Sequence, residues 1–177
     1  MRAIVTAIAC IKLSLAQSIT ILGDSLILAS MRYIRAFMPE AYIDAKVGRK
    51  FQEAIPLIDA LEQSQKLGKV VVINLTTNAP VSLRELLEVS DRLSASGRQL
   101  VIVNTRVPRH WESYNNENIK TLSILRPQVL VVDWHLITHS VCHDEPCLKK
   151  DGYHLTEAGT LLYSLAIYSK VSKALER

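Results

Sequence analysis

A serine near the beginning of the chain and an aspartate–histidine pair near its end have the residue types of a nucleophilic catalytic site. Ser25 follows a Leu-Gly-Asp segment, and Asp151 and His154 are separated by two residues in Asp-Gly-Tyr-His. This spacing lets the Asp151 carboxylate reach the imidazole and fix its tautomer, so that the other ring nitrogen can act as a base. We therefore predict that Ser25 is a nucleophile, that His154 is its base and that Asp151 orients the base.

Both motifs also have a structural interpretation. Ser25 can be the N-cap of a helix, and Asp151 and His154 can be capping groups at the entry to the last helix. Gly23 lets the chain turn as it leaves a strand, and Asp24 is expected to fix that turn through hydrogen bonds to the backbone. The catalytic interpretation therefore depends on the elements that bring the two motifs together.

Short apolar segments alternate along the chain with longer amphipathic ones. Three of them, VVVINL, LVIVN and VLVVDW, are nearly continuous in Val, Ile and Leu, which is typical of parallel strands that are buried on both faces. The candidate strands are residues 18–22, 41–45, 70–75, 100–104 and 129–134. The predicted helices are residues 26–37, 51–67, 82–96 and 156–175.

Local signals support the ends of two helices. Gly68 is expected to be the C-cap of the second helix. Ser82 and Glu85 form a capping-box signature at the start of the third helix, which ends at Gly97. The alternation of strands and helices predicts an α/β fold, a three-layer α/β/α sandwich with a five-stranded parallel sheet of flavodoxin-like type. In such a sheet the loops that follow the strands carry the chemistry.

A serine after the first strand and a D-x-x-H motif before the last helix resemble the SGNH/GDSL hydrolase family. Residues 23–25 (Gly-Asp-Ser) match its first block and residues 151–154 match its last, within a resemblance that covers residues 19 to about 167. The family takes oxyanion donors from the backbone of a glycine after the second strand and from an asparagine side chain after the third. The resemblance therefore implies an oxyanion hole formed by the N–H groups of Ser25 and Gly48 and by the Asn78 amide.

The third block departs from the commoner family pattern, which has a glycine two positions before the asparagine and an acid after it. Thr76 and Ala79 occupy these two positions. The Asn78 amide can still donate a hydrogen bond, but the rim of the substrate site near it is changed. A plain turn at Gly48 and a loop cap at Asn78 are the structural alternatives.

A narrower resemblance involves residues 44–49 (DAKVGR), the Thr77–Asn78 step and residues 103–109 (VNTRVPR). These segments are similar to the extracytoplasmic SGNH domain of peptidoglycan O-acetyltransferases, where the domain follows a multi-pass membrane acyltransferase. The resemblance implies a serine-dependent O-acyl transferase or esterase that acts on a cell-envelope glycan such as peptidoglycan through an acyl-serine. The chain is expected to be a stand-alone relative or the partner of a separately encoded membrane acyltransferase.

Two alternatives to this function stay open. One is a hydrolase of small esters, lipids or thioesters with the same fold, and the other is a non-catalytic glycan-binding module. Three residues after the fourth strand, Arg106, Arg109 and Trp111, are candidates for substrate contact. A surface salt bridge and a packed tryptophan are the structural interpretations of these residues.

A group of soft ligands near the C-terminus raises the question of a metal site. It comprises His135, His139, Cys142, His143 and Cys147, but the spacing fits no closed zinc pattern. The predicted triad needs neither a metal nor a cofactor. Cys142 and Cys147 could instead form a small disulfide if the protein is exported.

The length of 177 residues fits one domain, which we assign to residues 17–177. Residues 1–16 are predicted to be either a secretory signal, with an apolar run and a small-x-small site, or an N-terminal extension. The expected location is extracytoplasmic if they are a signal and cytoplasmic in the alternative.

The net charge of +4 is not accompanied by aromatic residues among basic runs, which argues against a nucleic-acid partner. We expect the protein to be a monomer.

Overall fold

The computed structural model describes residues 18–142 and 146–177. The predicted segment 1–16 lies outside these residues. The five strands are β1 (Ile19–Gly23), β2 (Tyr42–Ala45), β3 (Val70–Asn74), β4 (Gln99–Val103) and β5 (Leu130–Val132). They pair in parallel in the order β2-β1-β3-β4-β5. The predicted five-stranded parallel sheet is thus confirmed, and the strand order reverses direction next to β1.

In the described part of the chain, six α-helices connect the strands or follow them. They are α1 (Ser25–Phe37), α2 (Ala54–Gln63), α3 (Leu83–Ala95), α4 (Glu112–Leu125), α5 (Trp134–Val141) and α6 (Glu157–Leu175). A single 3₁₀ turn, Phe51–Glu53, precedes α2. Among the described residues, no helix combines the length and the apolar character needed to cross a membrane.

Alternate side chains of the strands enter two separate cores. In β3, Val70 and Val72 pack in the core that contains residues of α1 and α6. Their neighbours Val71 and Ile73 pack in the core that contains residues of α2, α3 and α4. This alternation follows from the two-residue period of a strand. Helices therefore cover both faces, and the predicted three-layer sandwich is confirmed.

The signals at both ends of the third predicted helix are confirmed in α3. Glu85 N–H donates to Ser82 Oγ at 3.3 Å, and the Glu85 carboxylate accepts from Ser82 N–H at 2.8 Å. At the other end Gly97 has φ 70, and Arg98 N–H donates to Leu93 O at 2.9 Å. A left-handed residue in this position is favourable for glycine.

The predicted C-cap at Gly68 is wrong. Helix α2 already ends at Gln63, and the chain reverses at Gln65, whose φ is 57. Gly68 N–H instead donates to Thr20 Oγ1 at 2.8 Å, which attaches the incoming chain to β1.

The fifth strand is shorter than predicted, because it ends at Val132. The Asp133 side chain accepts a hydrogen bond from Leu136 N–H at 3.0 Å and thereby caps α5, which begins at Trp134. Helices α4 and α5 were not predicted from the sequence. Both lie between residue 104 and the final loop, and the second of them begins at Trp134, the last residue of the predicted fifth strand.

Candidate active site

Ser25 is the first residue of α1 and follows directly on the turn that leaves β1. This turn needs a glycine, since a Cβ at Gly23 would lie 2.3 Å from Cγ1 of Ile27. Asp24 is the N-cap and accepts from Leu26 N–H at 2.9 Å, as expected for a residue that fixes the turn. Ser25 is half-buried, and its hydroxyl has no hydrogen bond to any residue that the structure describes.

Asp24 is fully buried and links the first loop to the third. Besides Leu26 N–H, its carboxylate accepts from Asn74 Nδ2 at 2.9 Å and from Asn78 Nδ2 at 3.1 Å. Burial raises the pKa of Asp24 to about 6, although the hydrogen bonds lower it in part. Asn74 was not singled out in the sequence. The sequence feature that could have identified it is a polar residue at the end of an otherwise apolar, buried strand.

Gly48 lies in the loop after β2, which is paired with β1 so that Ala45 is level with Gly23. Gly48 is exposed and has φ 71, a left-handed conformation that glycine tolerates best. The next residue, Arg49, is buried, and its guanidinium donates to Asp44 O and to Asp44 Oδ1 at 2.8 Å each. Arg49 therefore fixes the loop that presents Gly48.

Asn78 lies in the loop after β3 and joins the loops after β1 and β2. Its Nδ2 donates to Asp24 Oδ2 and to Arg49 O, both at 3.1 Å. An amide nitrogen has only two hydrogens. A third acceptor such as an oxyanion would therefore have to share or replace one of these two bonds. The first three predicted blocks are thus connected by hydrogen bonds, while the oxyanion role of Asn78 stays a prediction.

A residue that the sequence analysis missed holds this third loop. Asn115 is fully buried on α4, and its Nδ2 donates to Thr76 O at 2.8 Å and to Ala79 O at 2.9 Å. Its Oδ1 accepts from Val81 N–H at 2.8 Å. Asn115 lies in a polar helix with no motif around it, so no local signal indicated this role.

Asp151 and His154 are in direct contact. His154 Nδ1 lies 2.8 Å from Asp151 Oδ2, and Asp151 Oδ1 accepts from the N–H groups of Tyr153 and His154 at 3.2 and 3.0 Å. The hydrogen bond with the His154 ring holds the pKa of Asp151 down at about 2, with help from the two backbone N–H groups. A carboxylate that is ionised at all ordinary pH values fixes the Nδ1–H tautomer and leaves Nε2 free as a base.

The Asp151–His154 segment is the tip of a short hairpin. Lys149 N–H donates to His154 O at 2.7 Å, and Leu148 forms an antiparallel bridge with Leu155. The base of the hairpin is Cys147, which forms a disulfide with Cys142 at the end of α5. The hairpin is therefore anchored to α5 by a covalent bond.

Helix α6 packs tightly on the base of this hairpin. Thr156 N–H donates to Cys147 O at 3.0 Å. A Cβ at Gly159 would lie 1.9 Å from the same oxygen, so only glycine fits there. On its other side α6 contacts α1, where Tyr33 Oη donates to Glu157 at 2.7 Å. The helix that follows His154 thus packs on the helix that begins with Ser25. Within the described residues no hydrogen bond joins the side chains of Ser25 and His154.

A pocket of about 160 Å³ lies between the loop of Asn78 and the tip of the hairpin. It is lined by Thr77, Asn78, Val107, Arg109, Trp111 and Tyr153. Two of the three predicted substrate contacts, Arg109 and Trp111, therefore lie in it. Arg106 does not, because its guanidinium donates to the Glu112 carboxylate at 3.0 and 3.1 Å. A larger cavity of about 510 Å³ lies near α4 and β5, and none of the predicted catalytic residues lines it.

The four candidate metal ligands that the structure describes, His135, His139, Cys142 and Cys147, do not form a common site. Cys142 and Cys147 are bonded to each other. His139 Nδ1 contacts His135 O at 2.7 Å, and His135 Nε2 lies 3.4 Å from Glu112. His143 lies outside the described residues. In residues 18–142 and 146–177 no three His, Cys, Asp or Glu side chains are placed to hold a metal ion together.

Comparison with known proteins reveals the relatives of this chain. The peptidoglycan O-acetyltransferase OatA of Listeria monocytogenes is 32% identical over 162 residues, which are 92% of this chain and 25% of that protein. YrhL of Bacillus subtilis is 32% identical over 144 residues, 81% of this chain and 22% of that protein. The chain is thus homologous to a segment of these O-acetyltransferases. No protein-family model matches the sequence.

Solved structures of the SGNH/GDSL fold superimpose on almost the whole described chain. The C-terminal catalytic domain of OatA from Streptococcus pneumoniae, with a methylsulfonyl adduct, has a TM-score of 0.78 at 19% identity and covers 90% of this chain and 95% of that domain. The esterase EstA from Pseudoalteromonas has a TM-score of 0.66 at 15% identity, covering 91% of this chain and all (100%) of that one. At these identities the likeness concerns the fold. The chain spans about a quarter of the length of the curated relatives it matches.

Proposed function

We propose that this chain transfers an acetyl group to a hydroxyl of peptidoglycan through an acyl-serine at Ser25. The observation that carries the proposal is the hydrogen bond between Asp151 and His154, on a hairpin that leads directly into α6, the helix that packs on α1. The choice of acetyl group and peptidoglycan is supported by the 32% identity to the O-acetyltransferase of Listeria monocytogenes.

In the first half-reaction His154 Nε2 takes the Ser25 hydroxyl proton while Oγ attacks the carbonyl carbon of an acetyl donor. The C–O bond of the donor then breaks, and its leaving group takes the proton from His154. The ionised Asp151 stabilises the imidazolium between these two steps. In the second half-reaction a sugar hydroxyl loses its proton to His154, attacks the acyl carbon and releases Ser25 with its proton restored.

The oxyanion of each tetrahedral intermediate needs donors in place before it forms. In this proposal the donors are the N–H groups of Ser25 and Gly48 and the Asn78 amide. Asn78 is oriented by Asp24 and Arg49, and it reaches the oxyanion by sharing its bond to one of them. Loss of a single such donor costs about 2.7–4 kcal/mol in the barrier of comparable enzymes.

The small volume of the pocket beside Asn78 and Tyr153 is an argument for a short acyl group. Its volume of about 160 Å³ lies well below the range of about 300–1,000 Å³ that is typical of pockets for drug-sized ligands. A long lipid chain would have to lie outside it. The hydrolysis of small esters differs from transfer only in the acceptor, because water takes the place of the sugar hydroxyl.

We further propose that the protein works outside the cytoplasm as a monomer, beside a separately encoded membrane acyltransferase that supplies the acetyl group. The Cys142–Cys147 disulfide supports an oxidising compartment. Fractionation of cells, with the protein detected by antibody, tests the location.

The function is tested with p-nitrophenyl acetate as donor and peptidoglycan oligosaccharides as acceptors. The wild-type chain is expected to release p-nitrophenolate and to give acetylated glycan in mass spectra. Ser25→Ala should reduce both by at least about 1,000-fold, since the nucleophile is removed. Phenolate release without acetylated glycan would support the esterase alternative. Glycan binding without labelling of Ser25 by a fluorophosphonate would support the non-catalytic module.

A further inference from the structure

Five exposed cations lie around Ser25 at the carboxyl edge of the sheet. They come from the loop after β2 (Lys46 and Lys50), the loop after β4 (Arg109) and the hairpin of residues 148–155 (Lys149 and Lys150). Lys46 N–H donates to Gly23 O at 3.1 Å, so the first of these loops lies beside the turn that leads to Ser25. The other two loops meet at the pocket that contains Asn78.

These five cations are not neutralised by acidic residues of the described chain. None of the ion pairs in residues 18–142 and 146–177 involves them. Three carboxylates at the same edge have partners of their own: Asp44 pairs with Arg49, Glu112 with Arg106 and Asp151 with His154. The edge around Ser25 therefore has a local excess of positive charge, which attracts an anionic surface.

An apolar side chain lies among these charges. Val47 is 72% exposed, more than any other large apolar residue of the described chain, and it directly follows Lys46. A single exposed valine is common on a protein surface. In this loop, however, it has Lys46 on one side and Lys50 on the other, and lysine stems can pack on apolar groups while their ammonium groups stay at a polar boundary. An apolar tip between cations matches the boundary of a bilayer, where anionic headgroups lie above acyl chains.

We propose that this edge of the sheet docks on the surface of an anionic phospholipid bilayer. The four lysines bind headgroup phosphates, and Val47 enters the boundary between headgroups and acyl chains. Ser25 then faces the membrane, from which a membrane acyltransferase would present the acetyl group. The inference goes beyond the proposed function, because docking on lipid needs no acyl transfer.

Co-sedimentation of the full chain with vesicles tests the proposal. One set of vesicles contains equal parts of phosphatidylglycerol and phosphatidylcholine, and the other contains phosphatidylcholine alone. The chain is expected to bind the anionic vesicles, less tightly as sodium chloride rises from about 0.05 to about 0.5 M, and not to bind the neutral ones. The double variant Lys149→Gln, Lys150→Gln should reduce the partition coefficient roughly 25-fold, since each lysine near such a surface contributes about fivefold.

A matched double variant removes the same charge from the opposite edge of the sheet. Lys69 is exposed directly before β3, and Lys173 is exposed in the last turn of α6. Lys69→Gln with Lys173→Gln should therefore bind anionic vesicles within about twofold of the wild type. An equal loss in both double variants would mean that net charge alone causes binding, and this overturns the proposal.

A soluble polyanion is the competing ligand, and Val47 distinguishes it from a bilayer. Val47→Ser should weaken vesicle binding about fivefold, because less apolar surface is buried, and should leave binding to soluble poly(glycerol phosphate) unchanged. Vesicle binding that does not respond to Val47→Ser would assign the cations to a soluble polymer. That result, or a failure to bind anionic vesicles, overturns the proposal. A failure of acetyl transfer would instead contradict the proposed function and leave the docking result standing.

Discussion

Asp24 is a buried carboxylate that receives hydrogen bonds from three separate positions of the chain: Leu26 N–H in the first helix, Asn74 at the end of β3 and Asn78 in the loop that follows. It therefore holds the predicted oxyanion donor in place relative to the predicted nucleophile. The same burial that makes these bonds strong also makes the ionised form costly.

The charge of Asp24 should make the stability of the protein depend on pH. An aspartate in an unfolded chain has a pKa of about 3.9, and burial raises the pKa of Asp24 to about 6. Between these values the folded state binds more protons than the unfolded state, so the free energy of unfolding falls as pH rises. Above both values the ionised carboxylate lowers stability by about 3 kcal/mol relative to acid pH.

Asp24→Asn removes this titration. Its new NH₂ group faces the Asn78 amide, so we expect a loss of stability at every pH. However, the free energy of unfolding of the variant, taken relative to that of the wild type, should rise by about 3 kcal/mol from about pH 3 to about pH 7. Urea unfolding of both proteins across this range measures the gain. The control is Asp91→Asn at an exposed position, which should change in the opposite sense because its hydrogen bonds with Arg126 hold the pKa of Asp91 below its usual range. The prediction would be contradicted if the difference in the free energy of unfolding between wild type and Asp24→Asn did not change with pH.

At the scale of elements, the hairpin of residues 148–155 depends on the bond between Cys142 and Cys147. Reduction should lower the free energy of unfolding by about 2 kcal/mol, the entropic value for a short closed loop. It should also slow phenolate release, since Asp151 and His154 lose an anchor. Thermal unfolding and initial rates with and without a thiol measure the two effects.

The matched control for this experiment is the double variant Cys142→Ser, Cys147→Ser. It should resemble the reduced wild type and should not respond to the thiol. An unchanged melting temperature and an unchanged rate in the reduced wild-type protein would show that the hydrogen bonds of Cys147 and Thr156 hold the hairpin alone.

The sequence predicted those elements whose local pattern agrees with their environment. The run VVVIN is a fully buried strand, and the Ser82–Glu85 pair caps a helix, because both signals are local. Helix α4 was missed because its sequence, ESYNNENIKTLSIL, has little amphipathic pattern. Its buried residue Asn115 is polar, since the side chain donates a hydrogen bond to the loop after β3. The extent of β5 was overestimated because Asp133 uses its side chain as a cap.

The candidate site shows the same division between local and distant information. The contact of Asp151 with His154 is local and followed from a spacing of three residues. The bonds of Asn78 to Asp24 and to Arg49 depend on strand order, which the sequence does not display. The spacing of Cys142 and Cys147 left both a metal site and a disulfide open. In the structure the end of α5 lies next to the base of the hairpin, and the two cysteines form a disulfide.

At the scale of the whole molecule we expect a monomer. The exposed apolar side chains of α6, such as Leu161, Leu165 and Tyr168, are each partly covered by the protein itself. Sedimentation velocity should give a single species near 19.8 kDa. A species of twice this mass that Leu165→Glu dissociates would show instead that this face of α6 is an interface.

The position of the hairpin between Cys147 and α6 has a consequence for the order of folding. The strands that precede Ser25, Gly48 and Asn78 can pair before the end of the chain has been synthesised, but His154 arrives only with the last helix. Contacts between such distant segments form late because loop closure opposes them. During refolding, the return of reactivity at Ser25 therefore reports the docking of α6, and the appearance of secondary structure alone does not.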